Sequence, residues 1–416
     1  MSSACGLDFG TSNSTIGIVE QGHARLLPLE DGKTTLPSVV FFNADEDHTR
    51  FGRLALTEYL EGYEGRLMRA LKSILGTGLI DGKTEVQGRS LPFRELLAQF
   101  IGELKTRAEA VAGQPFKQAV LGRPVHFVDD DPVADQLAQD TLAEIARAVG
   151  FREIEFQFEP IAAAFDYEAT LQHEELVLIV DIGGGTSDFS LVRLSPERAR
   201  QIERRDDILA NGGVHIGGTD FDRALSLAAV MPQLGYKTLL SSGAEMPSSY
   251  YFNLATWHTI NFAYARGVLP GLQGLYRSAC ERDKIDRLIR LINLRAGHWL
   301  ALQVEEAKIA LSANEETRLD LDQLAPDLSH PITRSEFDAA ISPLVQKIET
   351  TLDGVLRQAG VTASQVDTVF FTGGASGVPL LRARLAEHLR AARHVEGDLF
   401  GSIGIGLALD AKRKFG

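Results

Sequence analysis

Gly6-Leu7-Asp8-Phe9-Gly10-Thr11-Ser12-Asn13-Ser14-Thr15-Ile16-Gly17-Ile18-Val19 and Val180-Asp181-Ile182-Gly183-Gly184-Gly185-Thr186-Ser187-Asp188-Phe189-Ser190-Leu191-Val192 share one register. In each, an apolar strand enters an Asp, a small-residue turn follows, and an alternating strand leaves. Asp8 pairs with Asp181, Gly10 with Gly183, Ile16 with Phe189 and Val19 with Val192, without a gap. A Gly/Thr/Ser turn lets backbone N–H groups converge on an anion, because no bulky side chain blocks the approach. An Asp just ahead of such a turn can hold a hydrated Mg²⁺ against a polyphosphate. One Gly-rich hairpin is a weak signal. Two in register, one in each half of the chain, point to a nucleotide gripped between duplicated lobes.

A chain of 416 residues is too long for one ordinary core and predicts at least two subdomains. Its hydrophobic content of 44% with 24% charged residues suits a globular protein. The net charge of -14 argues against a nucleic-acid or anionic-membrane partner. Cys5 and Cys280 are too few for a disulfide framework and suit a reducing compartment. The N-terminus has no basic region followed by an apolar one, and no run reaches 18 apolar residues. These readings predict a cytoplasmic protein.

Strands are expected over residues 4–19, 35–42, 119–121, 154–158, 176–192 and 366–371, from apolar runs bounded by turn residues. Helices are expected around Tyr63–Leu75 and over 93–112, 131–149, 161–169, 304–312, 335–358 and 379–391, with another from about Gly217. The alternation predicts an α/β fold of two lobes. Lobe I spans 1–172, with a peripheral subdomain at about 37–116. Lobe II spans 173–392, with an insertion at about 217–334, and residues 393–416 return to lobe I.

Two carboxylates facing each other, as Asp8 and Asp181 would, repel unless a cation lies between them. Asp188 adds a third acid to the metal shell, and the Thr186 hydroxyl can reach a terminal phosphate. Glu159 stands at a helix start, where the dipole favours an acid and where it could also order water. Lys72, on sequence alone, is one lysine on a basic amphipathic helix. Glu305, Lys308 and Ser312 share one helix face and could bond a ribose or base. Gly373-Gly374, between strand and helix, permits a close backbone approach. His215 and Asp220 lack metal-ligand spacing; Asp220 and Asp222 read as caps of the next helix.

Together these residues resemble the nucleotide-binding domain of the seventy-kilodalton heat-shock chaperones, the DnaK type, within the actin and sugar-kinase superfamily. The motifs Gly6–Ser14, Glu159–Ala164, Asp181–Asp188, His215–Asp222 and Glu305–Ser312 follow the family's order, with Gly373–Pro379 as a weaker sixth. The segment from Arg69 to Gly76 is similar to the one carrying that family's catalytic lysine, which singles out Lys72. The short chain is most similar to truncated, YegD-like members.

The resemblance implies an actin-like ATPase fold, two duplicated α/β lobes around a nucleotide cleft, and an ATP/ADP site with Mg²⁺. It implies slow hydrolysis of ATP as a conformational switch, without a peptide-binding domain. Asp8, Asp181 and Asp188 would hold the metal. Gly10, Thr11, Ser12, Asn13, Gly183, Gly184, Gly185 and Thr186 would bind phosphates, while Lys72, Glu159, Asp181 and Thr186 would serve catalysis. Gly217, Gly218, Glu305, Lys308, Ser312, Gly373 and Gly374 would complete the nucleotide site. Two positions depart from the family: Gly377 replaces a basic residue beside adenine, and Thr219 replaces an acid near the metal. A small-molecule kinase and an ATP-sensing module with negligible hydrolysis are the rival readings. The aromatic-rich stretch 231–303 is expected to form a local core or to present anchors to a protein partner.

Overall fold

The computed structural model describes residues 4–69, 71–128, 131–398 and 401–416. Ala70 of the Lys72 segment, the first three residues of the N-terminus, and residues 399–400 of the C-terminal segment lie outside the described residues. The chain divides into two compact units, one of 1–213, 352–376 and 388–416, the other of 214–351 and 377–387.

The first unit contains two mixed sheets with one plan. In the first, the hairpin Ala4–Phe9 and Asn13–Glu20 is followed at its outer side by His23–Leu26. Gln118–Arg123 runs parallel to Ala4–Phe9, and Glu153–Phe158 runs parallel to Gln118–Arg123. In the second sheet, Ile208–Val214 flanks the hairpin Glu175–Ile182 and Ser187–Leu194. There too, Thr368–Thr372 and then Arg393–Glu396 run parallel to the first hairpin strand. The matched register survives in three dimensions: Asp8 lies opposite Thr15, and Asp181 opposite Asp188. The expected α/β architecture with duplicated hairpins is therefore present.

All six residues of Ala4–Phe9 are buried, as befits a central strand covered on both faces. Helix Phe93–Ala112 covers one side, burying Leu96, Leu97, Phe100, Ile101 and Leu104 along one stripe, and it stops at Gly113 in the left-handed region. The Phe9 and Phe100 rings lie 5.8 Å apart. Each such side chain contributes about 1.5–3 kcal/mol by leaving water. Helix Ser402–Phe415 lies against the same hairpin, and glycine makes that approach possible. A Cβ on Gly6 would stand 2.3 Å from the Ala408 nitrogen, and one on Gly406 would collide with the Ala162 carbonyl.

Three helix expectations need correction. Residues 63–75 are not one helix: Gly65–Arg69 is a strand antiparallel to Val39–Asn43, and a short 3₁₀ turn, Leu71–Ile74, follows. The partner strand supplies hydrogen bonds that outweigh a local helical pattern. The stretch 161–169 is divided at Ala164 into Glu159–Ala163 and Phe165–Glu168. The helix expected from 304 begins at Gly297, because His298 and Leu300 extend its buried side.

The second unit is mainly helical, with the small sheet Glu316–Asp320 and Ser329–Thr333. Its aromatic residues largely build a local core. Tyr251 is buried and donates to the Leu234 carbonyl, and the Trp257 ring meets His298 at 4.7 Å. Phe252 and Phe262 nevertheless face solvent, at 38% and 63% exposure.

Candidate functional site

The first unit places four of the singled-out charged residues at chain positions that topology makes adjacent. Asp8 and Asp181 end the central strands of their sheets. Glu159 follows directly on strand Glu153–Phe158 and opens a helix. Carboxyl ends of strands are where open α/β sheets bind ligands. Lys72 sits on the short turn after strand Gly65–Arg69, and its Nζ lies 2.5 Å from Glu159 Oε1. Both partners are nearly buried, with side chains 11% and 13% exposed.

Electrostatics tie this pair to the aspartates. Burial, then the Glu159 charge, pushes the Asp8 carboxyl up to about 7 despite the opposing pull of Lys72. Burial, then Asp188, Glu159 and Asp8, pushes Asp181 up to about 8. Burial drives Lys72 downward, but Glu159, Asp8 and Asp181 prevail and hold its ammonium above the ordinary range. Within this cluster, Glu159, Asp8 and Asp181 all act on the one Lys72 ammonium, and Asp188 adds its charge at Asp181.

Glycines surround it. Gly373, with φ of 79°, leaves room for Asp181, since a Cβ there would stand 2.4 Å from Oδ1. Gly213 does the same for Asp188, at 2.4 Å, and Gly122 stands beside Glu159, at 3.3 Å from its Cγ. The two turns also meet: a Cβ on Gly184 would lie 2.2 Å from Ser12 Oγ. Within the turns, Gly10 is required by the Asn13 carbonyl, 2.1 Å from an added Cβ, while Gly183 N–H donates to the Thr186 carbonyl. Gly185 is different. A Cβ there would meet nothing within 4 Å, so packing within the chain does not demand a glycine.

Thr11, Asn13 and Thr186 are half-buried in these turns, and Gly374 begins a 3₁₀ turn after strand Thr368–Thr372. Gly122, Gly213 and Ser38 were not singled out by sequence. A glycine within a strand and a serine after Pro37 carry no local signal of the acid or turn they serve.

The second unit brings together two other motifs. Gly217 N–H donates to Asp220 Oδ2 at 3.0 Å, so Asp220 caps helix Gly218–Leu225 as expected. Asp222 does not cap. It pairs instead with Lys308 Nζ at 2.8 Å, and the same ammonium reaches the Gly218 carbonyl at 3.3 Å. Glu305 and Ser312 are half-buried on the same helix, Gly297–Ala313.

Hard carboxylate oxygens in excess suit a divalent cation. Among the described residues, no group of three or more His, Cys, Asp or Glu forms a direct ligand set. Cys5 and Cys280 are free thiols. No helix among the described residues is long and apolar enough to cross a membrane.

Comparison with known proteins agrees with this geometry. Two proteins named chaperone protein DnaK, from two strains of Thermus thermophilus, are each 26% identical over 416 residues. Each alignment covers 94% of this chain and 57% of the relative, so the chain spans little more than half their length. The family model described as Hsp70 protein matches residues 4–231 and 281–411, and the gap between the two stretches falls inside the aromatic-rich insertion. The match takes in both hairpins, Lys72, Glu159 and the Glu305–Ser312 helix, on an α/β fold of the actin-like ATPase type, and the chain belongs to the Hsp70 protein family.

Proposed function

We propose that this chain binds Mg·ATP and hydrolyses it slowly to ADP and phosphate, acting as a nucleotide-driven switch of the chaperone type. The buried Lys72–Glu159 pair beside Asp8 and Asp181 carries the reading, because it combines a fixed ammonium with carboxylates that lack enough positive charge. A terminal phosphate with its cation supplies what the cluster lacks. Asp8, Asp181 and Asp188 hold the hydrated Mg²⁺, which neutralises phosphate charge when bound. Gly10–Asn13 and Gly183–Thr186 donate N–H and O–H groups to phosphate oxygens. Glu159 orients the attacking water, and Lys72 stabilises charge developing on the phosphoryl group. Phosphoryl transfer asks for little beyond positioning and charge neutralisation. Gly373 and Gly374 are assigned to the nucleotide site of the first unit; within the second unit, Asp222 orients Lys308.

The switch reading extends to a protein partner at the 231–303 insertion, where Phe252 and Phe262 are exposed. The free cysteines suit cytoplasmic residence. Single-turnover phosphate release on Mg·ATP, for wild type and Lys72→Ala, tests the chemistry. Removing a preorganised charge should slow release on the order of 10²–10³-fold while ATP affinity stays within about tenfold. Equal rates in the two proteins would overturn the catalytic role.

A further inference from the structure

Ser38 lies between Leu36–Pro37, which pairs with the second strand of the first hairpin, and strand Val39–Asn43. It is buried, at 1% exposure, and makes three polar contacts with the hairpin. Its hydroxyl donates to the Gly10 carbonyl at 2.7 Å, and its N–H donates to the Ser12 carbonyl at 2.9 Å. The Ser14 hydroxyl, fully buried, lies 3.0 Å from the Ser38 hydroxyl. One residue thus fixes both ends of the turn Gly10-Thr11-Ser12.

Peptide planarity converts this into orientation. In a trans peptide the carbonyl and the following N–H point in opposite directions. Drawing the Gly10 carbonyl toward Ser38 aims the Thr11 N–H away from it, and drawing the Ser12 carbonyl does the same for the Asn13 N–H. A glycine at the start of the turn could otherwise adopt many backbone conformations. We propose that Ser38 is a positioning residue, which holds the Thr11 and Asn13 N–H groups in the orientation that receives phosphate oxygens. The assignment rests on the Mg·ATP reading above and adds a residue from outside the turn that contacts no ligand itself.

The test compares affinities for Mg·ATP and for adenosine, which lacks phosphates, in wild type, Ser38→Ala, Ser38→Cys and Ser14→Ala. Ser38→Ala should bind Mg·ATP about tenfold more weakly and adenosine within about twofold of wild type, since one net hydrogen bond is lost only from the phosphate turn. Ser38→Cys keeps the side-chain size with a weak donor and should fall between, so the question survives even if the alanine variant folds poorly. Ser14→Ala removes a buried hydroxyl but keeps the Ser38–Gly10 bond, and should retain the wild-type ratio of ATP to adenosine affinity. Equal losses for both ligands at position 38, or no loss of Mg·ATP affinity in either variant, would overturn the assignment and leave Ser38 a packing residue. A wild type that binds adenosine but not Mg·ATP would overturn the functional reading, and this assignment with it.

Discussion

Replacing Asp181 by Asn should make the protein without ligand more stable and its complex with Mg·ATP less so. Asp181 is crowded by Asp188, directly opposite on the hairpin, and by Glu159 and Asp8. Its carboxyl is raised from 3.8 to about 8, so the folded state retains a proton that the unfolded chain has lost. A raised acid lowers stability as pH rises: the penalty is absent below the unfolded value, grows through the interval, and is complete above about pH 8. At 1.36 kcal/mol per pH unit, the interval sets a ceiling of about 6 kcal/mol. Rearrangement of the half-buried side chain reduces this, and about 1–3 kcal/mol is the expected gain at pH 8.5. Thermal unfolding in chelator at pH 5.5 and 8.5 reads the effect, which should shrink markedly at the lower pH. Saturating Mg·ATP should reverse the order, since wild type binds the cation and is stabilised by mass action. A variant less stable than wild type at pH 8.5 without ligand, or a gain equal at both pH values, would refute the argument that these acids are short of positive charge.

Two glycines separate packing from ligand approach. Gly373→Ala forces a side chain into the left-handed region and against Asp181, and should cost more than about 2 kcal/mol in denaturant unfolding together with nucleotide binding. Gly185→Ala meets open space, so stability should stay within about 0.5 kcal/mol while Mg·ATP affinity falls, as titration calorimetry would show. Hydrogen exchange in the free, ADP and ATP forms should change within 231–303 if the insertion reports nucleotide state; identical exchange there, with changes only at the hairpins, would remove the switch reading.

The duplicated hairpins were legible because their signals are local: a turn of small residues, an Asp before it, and alternation after it. Helix Phe93–Ala112 was legible to the residue, since its stripe and its Gly113 stop lie within one segment. Lys72 stood out only through the family resemblance. The strand before it exists because Val39–Asn43 offers an edge, and its ion pair spans 87 residues of sequence. Gly122, Gly213 and Gly406 were invisible for the same reason. A glycine needed for a tertiary approach has no neighbour in sequence that requires it. Asp222 was misread as a cap because its partner, Lys308, lies 86 residues away.

The two hairpins share a register but not a chemistry, and the difference explains their acids. Asp8 faces Thr15, a neutral residue, whereas Asp181 faces Asp188. Glu159 raises both aspartates and Lys72 opposes both, so the facing residue is the main asymmetry between them. Both carboxyls stand well above the ordinary range, and only Asp181 carries the added push of a facing acid. The facing residue thus concentrates negative charge on the second hairpin. A divalent ion held there through water would relieve the greater repulsion while leaving Lys72 and Glu159 engaged with each other.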